Sequence, residues 1–278
     1  MRECIHSKFL LDGQVMNCSG FQPNLINKGI SIYEVIRLIK NHLLFFEDHL
    51  QRLELSVKLA EVDSLHTRDV LTRMIQHLIS LNKISNGNIK IVFNYQDNIK
   101  RHCLVYFIPP NYPLKVHFQR GIEVVTYPFT RENPHKKMWL PDFRSASDAL
   151  IQQKKIFEVL IVNGKNQVTE ASRSNFFAIK NGTVFTPPVE CVLPGITRKY
   201  VINICREQKI PFFEKEIPVN SLGEYDAAFI TSTSSNVLPV AKIDNLIFGV
   251  DDPVMRKLMK EFDNLVERER GREGEGER

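Results

Sequence analysis

Three short polar stretches in the second half of the chain have the composition of a ligand site. The first, Glu170-Ala171-Ser172-Arg173-Ser174-Asn175-Phe176-Phe177, sets an acid and two hydroxyls before an aromatic pair. The second, Leu193-Pro194-Gly195-Ile196-Thr197-Arg198, has a glycine where a helix would open. The unbonded N–H groups of a first helical turn, with a hydroxyl beside them, make a place for an anion such as phosphate; taken alone, a Gly-Ile-Thr is more simply a capped helix start. The third, Thr231-Ser232-Thr233-Ser234-Ser235, follows the apolar run 227–230. Hydroxyls at the carboxyl end of a strand are placed to hold a phosphate, although in isolation such a stretch is an ordinary loop. In the first half, Arg52 stands beside His49 on the polar side of a helix that carries Leu50 and Leu53, where an arginine is either solvated or a partner for an anion. Two adjacent lysines, Lys136 and Lys137, are candidate amine nucleophiles.

The order of these pieces is more specific than any one of them. Tyr33-Glu34-Val35, His49-Leu50-Gln51-Arg52-Leu53, a lysine, E-x-S-x-S-N-x-F from Glu170, Thr186-Pro187-Pro188, L-P-G-I-T-R from Leu193 and T-S-T-S-S from Thr231 follow one another. In that order they resemble the class IV aminotransferase family of pyridoxal phosphate enzymes, over nearly the whole chain from about residue 9 to 243. The family includes branched-chain aminotransferases, D-amino acid aminotransferases and aminodeoxychorismate lyases. The resemblance implies an α/β (α+β) fold of type IV with two domains. The smaller N-terminal domain would be α+β, the larger C-terminal one would hold a β-barrel-like sheet, and pyridoxal 5'-phosphate would lie in the interdomain cleft.

It also implies roles, position by position. Arg52 would clamp the cofactor phosphate, with the backbone of Ile196 and Thr197 and the hydroxyls of Ser232 and Thr233 completing the cup. Glu170 would pair with the protonated pyridine nitrogen and keep the ring an electron sink. Lys137 would carry the Schiff base, because an R-x-x-P-x-x-K pattern fits Arg131, Pro134 and Lys137; Lys136 stays open as the alternative. The residues that follow, Met138-Trp139-Leu140-Pro141, depart from the family's usual continuation, so no tyrosine stands there to meet the ring hydroxyl.

The implied reaction moves an amino group between a small amino acid, branched-chain ones included, and a 2-oxo acid. Aminodeoxychorismate lyase chemistry, which eliminates pyruvate and leaves 4-aminobenzoate, would use the same cofactor residues and is the runner-up. A catalytically silent ligand-binding relative is the third reading. The Arg-Gly that often ends a small-domain strand in the family is replaced by Asn94-Tyr95. Lys90 and Arg37 are then the candidates to hold a substrate carboxylate, with a solvent-facing Lys90 equally open, and Tyr33 lines the pocket or packs. A homodimer is implied as well.

The elements that must position these residues follow from period and punctuation. Residues 9–16 read as strand-turn-strand around Asp12-Gly13, and 30–39 pairs with 43–46 around 40–42. Leu50, Leu53, Val57 and Ala60 predict a helix over 47–62; Val70, Leu71, Met74, Ile75 and Leu78 predict another over 67–81. Strands at 89–95 and 104–108 flank a polar turn at 96–101. Pro109, Pro110 and Pro113 break both patterns. They set a small domain at 1–112, a linker at 113–121 and a cofactor-binding domain at 122–267, with a polar tail at 268–278. Within the second domain the pattern predicts a strand at 122–127, a helix at 145–155, and hairpins over 159–168 and 176–185 around Asn163-Gly164 and Asn181-Gly182. A helix at 197–208, strands at 211–217 and 227–231, and a last helix at 252–267 complete it.

Composition bounds the rest. The 278 residues are 43% hydrophobic and 25% charged, the range of ordinary globular chains. No apolar run approaches the ~20 residues of a membrane span, and the first eleven residues lack a secretory core, so no membrane partner is expected. The net charge of +5 is dispersed along the chain, which argues against a nucleic-acid partner and suits an anionic cofactor and a carboxylate substrate. Cys4, Cys18, Cys103, Cys191 and Cys205 are odd in number and never spaced C-x-x-C. That argues against a disulfide framework and a metal site, and for a reducing, cytoplasmic compartment.

Overall fold

Two left-handed residues, Asp12 at φ 52° and Gly13 at φ 80°, reverse the chain between β1 (Lys8–Leu11) and β2 (Gln14–Asn17), as the Asp-Gly signal predicts. The structure is a computed structural model in which residues 3–96 and 100–271 are described. Contacts divide the chain into two units. The first takes the chain as far as Asn111 together with the returning segment Lys136–Pro141; the second takes Tyr112–His135 and Asp142–Arg268. The first change of unit falls between Asn111 and Tyr112, and Lys136–Pro141 groups with the first unit although the second surrounds it in sequence.

In the first unit a short α1 (Asn24–Asn27) precedes β3 (Ile30–Ile39) and β4 (His42–Leu43). Next come α2 (Phe46–Leu59), α3 (Arg68–Asn82), β5 (Gly87–Gln96) and β6 (Lys100–Ile108). Of the polar turn expected at 96–101, residues 97–99 lie outside the described residues, whereas Gln96 belongs to β5 and Lys100 and Arg101 to β6. The six strands form one antiparallel sheet in the order β2-β1-β6-β5-β3-β4. Alternation along the strands sorts the side chains onto two faces. Ile32, Ile36, Ile89, Ile91, Phe93, Val105 and Phe107 pack with Leu50, Leu53, Val57, Leu71, Ile75 and Leu78 of the two helices. The opposite face carries Val92, Leu104 and Tyr106, with Tyr33 and Trp139 against them and Cys4, Phe9, Cys18 and Ile26 closing that layer. The Thr67 hydroxyl accepts the Val70 N–H at the start of α3, a side-chain cap of the ordinary kind.

Cys4 and Cys18 are joined as a disulfide, with Cα atoms 5.8 Å apart, against the sequence expectation. Their spacing carries no motif; it is the β1–β2 hairpin between them that returns the chain on itself.

The second unit contains α4 (Lys115–Arg120), β7 (Ile122–Pro128) and α5 (Pro141–Lys154). A run of strands follows: β8 (Glu158–Val162), β9 (Gln167–Ala171), β10 (Asn175–Lys180) and β11 (Thr183–Thr186). The remainder is α6 (Ile196–Glu207), β12 (Phe212–Glu214), β13 (Ile217–Pro218), β14 (Ala227–Ser232), β15 (Asn236–Ile243), β16 (Leu246–Ile247) and α7 (Pro253–Gly271). The sequence pattern predicts no helix in the linker, yet α4 forms there. It also starts α5 four residues late, and residues past Gly271 in the predicted tail lie outside the described set.

Six strands close on themselves in the order β10-β14-β15-β7-β8-β9, the ring completed by the pair Glu170–Asn175 between β9 and β10. Ile122, Val124, Leu160, Val168, Phe176, Ala178, Ala228, Ile230, Leu238 and Val240 form one core cluster drawn from all six strands, as the inner face of a closed sheet requires. No sequence signal predicts β15, because Pro239 argues against an interior strand. The fold accommodates the proline opposite Phe229 of β14, with a register shift between Val240 and Lys242 on the β7 side. Among the described residues no helix is long and apolar enough to cross a membrane.

Candidate active site

In the first unit, Lys137 is fixed by its own backbone. Its carbonyl accepts the Tyr33 N–H at 3.0 Å, and its N–H donates to the Ser56 hydroxyl at 3.1 Å. The Trp139 N–H donates to the Ser31 carbonyl at 2.8 Å, and Met138 bridges Ile32. The segment is in effect a short extra strand on the edge of β3. The Lys137 ammonium lies 4.8 Å from the centroid of the Tyr33 ring. Lys136 contributes its carbonyl to the Met138 N–H at 2.9 Å.

A second ammonium shares that ring. Lys90, on β5 and only 2% exposed, lies 4.9 Å from the Tyr33 centroid, 3.6 Å from that of Trp139 and 5.9 Å from that of Tyr106. Its charge is met by the Glu3 carboxylate at 2.6 Å, which also accepts the Tyr106 hydroxyl at 3.1 Å. The solvent-facing alternative for Lys90 is thereby excluded; it is a buried cation in an aromatic cage. Arg37, two register positions beyond Val35, pairs across the sheet with Asn88, whereas Lys90 pairs with Val35. Asn94, at the position of the missing arginine, is locked inward, its amide donating to the Lys28 carbonyl at 2.7 Å and the Ser31 hydroxyl at 2.8 Å.

On the helix side of the same strand sits a buried ionic cluster. Arg52 donates from Nε to Glu34 Oε1 at 2.6 Å and from Nη2 to Oε2 at 2.8 Å, and His49 Nδ1 lies 2.9 Å from Oε2. Because a carboxylate only accepts, His49 must carry its proton on Nδ1. Burial alone would raise the Glu34 pKa, but the Arg52 charge and the hydrogen bonds from Arg52 and His49 hold it well below the usual carboxylate range. Burial lowers the His49 pKa, and the neighbouring positive charges of Arg52 and Lys137 add to that against the pull of Glu34. Glu34 therefore orients the Arg52 guanidinium in two-point fashion. Sequence reasoning used Glu34 only as part of a motif. The available signal was an acid at an inward position of an otherwise apolar strand.

In the second unit, Glu170, Asn175 and Thr231 stand side by side across β9, β10 and β14. The Glu170 carboxylate receives Arg131 Nε at 2.7 Å on one oxygen and the Leu193 N–H at 3.0 Å on the other. The Asn175 amide donates to the Leu193 carbonyl at 2.8 Å. Both backbone polar groups of Leu193 are thus pinned, and the E-x-S-x-S-N and L-P-G-I-T stretches become a single unit. Gly195 is required by close approach: a Cβ there would fall 1.9 Å from Asn175 Oδ1. Arg131, used in the sequence only as a spacing mark, is the ion-pair partner of Glu170.

Below this layer the buried Glu158 carboxylate accepts the Arg173 N–H at 2.8 Å, the Ser174 hydroxyl at 2.6 Å and the Ser172 hydroxyl at 3.3 Å. The two serines of the motif therefore hold the turn through Glu158. Burial raises the Glu158 pKa, opposed by the Ser174 hydrogen bond and the Arg173 and Arg144 charges.

Two features of this unit fit a phosphate. The α6 N-terminus has Gly195 at its cap and no side-chain cap bond, which leaves the amides of Ile196 and Thr197 for an anion. The buried Thr231 hydroxyl has no hydrogen-bond partner among the described residues. Ser232 turns its oxygen to the Ser235 N–H at 3.1 Å, while Thr233 is half-buried in the turn beyond β14.

Comparison with known proteins identifies the family of the chain. The profile of the family described as amino-transferase class IV matches residues 31–243. A D-alanine aminotransferase of Staphylococcus epidermidis is 27% identical over 282 residues, covering 94% of this chain and 98% of the relative. The branched-chain amino acid aminotransferase of Escherichia coli superposes with a TM-score of 0.83 at 21% identity, over 94% of this chain and 95% of that one. A putative 4-amino-4-deoxychorismate lyase of Legionella pneumophila superposes with a TM-score of 0.75 at 22% identity, over 85% and 91%.

Proposed function

We propose, from the premise that this chain belongs to the class IV aminotransferase family of pyridoxal-phosphate-dependent transaminases, that it moves an amino group between a small amino acid and a 2-oxo acid with Lys137 as its working amine. The cofactor, when bound, withdraws electrons from the substrate carbon that bears the amino group. The chain's residues do the rest. Lys137 anchors the cofactor and then moves the proton at the substrate Cα. Arg52, oriented by Glu34, takes the phosphate together with the amides of Ile196 and Thr197 and the hydroxyls of Ser232 and Thr233. Glu170, whose oxygens each retain a lone pair beyond Arg131 and Leu193, accompanies the ring nitrogen.

Tyr33 faces the substrate, and Lys90 receives its carboxylate, with Arg37 as the further cation on the same strand face. The observation that carries this reading is the Lys137 amine held over Tyr33, on a ring shared with the buried Lys90. The departure at Asn94 supports it too, because its amide is taken up by the Lys28 carbonyl and the Ser31 hydroxyl, which leaves Lys90 and Arg37 as the cations of that face. The chain works as a homodimer in a reducing, cytoplasmic compartment.

Borohydride reduction of the full chain loaded with pyridoxal phosphate, followed by peptide mapping, tests the assignment. The cofactor mass is expected on the peptide containing Lys137; its appearance on Lys136, or nowhere, overturns the reading. Amino-acid and oxo-acid pairs supplied to the same preparation should exchange amino groups. Release of pyruvate from aminodeoxychorismate without an acceptor would assign the lyase reaction instead. Sedimentation should give twice 32.2 kDa; a monomer rejects the dimer.

A further inference from the structure

We propose that Cys4 and Cys18 form a reversible redox site whose closure locks the Glu3 carboxylate onto Lys90. The inference rests on the reading of Lys90 as the receiver of a substrate carboxylate. Four observations meet at one place. Cys4 and Cys18 are paired, with Cα atoms 5.8 Å apart. Both line a surface recess of about 400 Å³ that also includes His6 and Asn17, and the two residues are 3% and 9% exposed there. The residue next to Cys4 is Glu3, whose carboxylate stands 2.6 Å from the Lys90 ammonium and accepts the Tyr106 hydroxyl. Lys90 in turn shares the Tyr33 ring with Lys137.

Of the remaining cysteines, Cys191 is a half-buried free thiol in the second unit. Cys103 and Cys205 are buried free thiols, and burial pushes the Cys205 pKa up to about 12 and that of Cys103 higher still. Such thiols are inert in exchange. In a reducing compartment a protein disulfide is typically transient and redox-sensing, which suits a pair that opens and closes.

The reactant is a low-molecular-weight disulfide. One cysteine thiolate attacks it, forming a mixed disulfide and releasing one small thiol. The second thiolate then attacks the protein-bound sulfur and releases the other. The protein loses two protons and two electrons, which end on the two released thiols, and a small dithiol reverses the change. In the closed state the N-terminal segment is tied covalently at Cys4. Glu3 is thereby kept where an incoming carboxylate must displace it. In the open state the segment is held by weaker contacts such as the Ile5 N–H to the Phe107 carbonyl, and Glu3 can leave.

The test equilibrates the full chain with oxidised glutathione or with dithiothreitol, alkylates it and maps its peptides by mass. A Cys4–Cys18 linked peptide is expected in the first case and both cysteines alkylated in the second. Each sample is then pulsed with an amine-reactive ester. Lys90 should be labelled at least about fivefold more slowly in the oxidised protein, the low end of coupling between linked sites. Glu3→Gln should remove most of that difference while the linked peptide still forms. Both cysteines staying alkylatable in oxidised glutathione, or Lys90 labelling at equal rates in both states, overturns the proposal. Neither readout uses turnover, so a failure here is distinct from a failure of the aminotransferase reading, which borohydride mapping reports.

Discussion

Replacing Glu34 by Gln should cost about 3–5 kcal/mol, the penalty of leaving a buried charge without its partner. Glu34 is fully buried and accepts three hydrogen bonds, two from Arg52 and one from His49. Glutamine keeps one acceptor oxygen but turns the other position into a donor, facing groups that are themselves donors, and the Arg52 cation loses its two-point carboxylate contact inside the protein. Against a total of roughly 5–15 kcal/mol for a folded domain this is a large share. Urea unfolding at pH 7 should therefore move to a much lower midpoint.

The pH dependence supplies a second reading of the same change. Glu34 has a folded pKa depressed below its ordinary 4.5, so its stabilisation is present above that value and is lost as pH falls below it. The variant should lack this acid limb. His49 has a folded pKa below its ordinary 6.5, so the unfolded chain binds that proton more readily and stability falls as pH drops below 6.5; this limb should persist. A loss under about 1 kcal/mol at pH 7, the worth of a mere surface pair, or an unchanged limb below pH 4.5, would refute the account of this cluster.

Other substitutions read the rest of the site. Lys137→Ala should abolish borohydride-fixed cofactor and transamination while urea stability stays near that of the parent. Gly195→Ala would place a Cβ against Asn175; overpacking costs of about 1–3 kcal/mol should appear in urea unfolding, with cofactor affinity by titration falling further. Glu158→Ala leaves the Arg173 amide and the Ser172 and Ser174 hydroxyls without their buried acceptor. At about 1–3 kcal/mol for a buried unsatisfied group, circular-dichroism melting should drop by several degrees. Tyr33→Phe keeps the ring between Lys137 and Lys90 and should leave KM within about threefold, whereas Tyr33→Ala should raise it roughly tenfold or more, a difference of about 1.4 kcal/mol.

Local chemistry was legible wherever it is written in neighbouring residues. Asp12-Gly13 and Asn181-Gly182 turn where left-handed backbone requires them, and the helical spacing of Leu71, Met74, Ile75 and Leu78 buries one face of α3. The ordered motifs marked the family for the same reason. What escaped depends on pairing between distant segments. Arg52 and Glu34 are 18 residues apart, Arg131 and Glu170 are 39 apart, and no periodicity announces either pair. β15 escaped because a proline normally excludes an interior strand and only a register shift in the ladder admits it here. The cysteine pair escaped because the hairpin between its members, and no spacing rule, makes them neighbours.

The return of Lys136–Pro141 to the first unit limits how the chain can be cut. A contiguous fragment ending at Asn111 would lack Lys137 and Trp139 and would bare the edge of β3 around Ile32, where those residues bond. An open edge of that kind is a template for aggregation. Truncation at the proline cluster should therefore yield a sticky half that lacks the proposed Lys137 amine. A soluble version of the first unit would need residues 136–141 grafted back by a short linker.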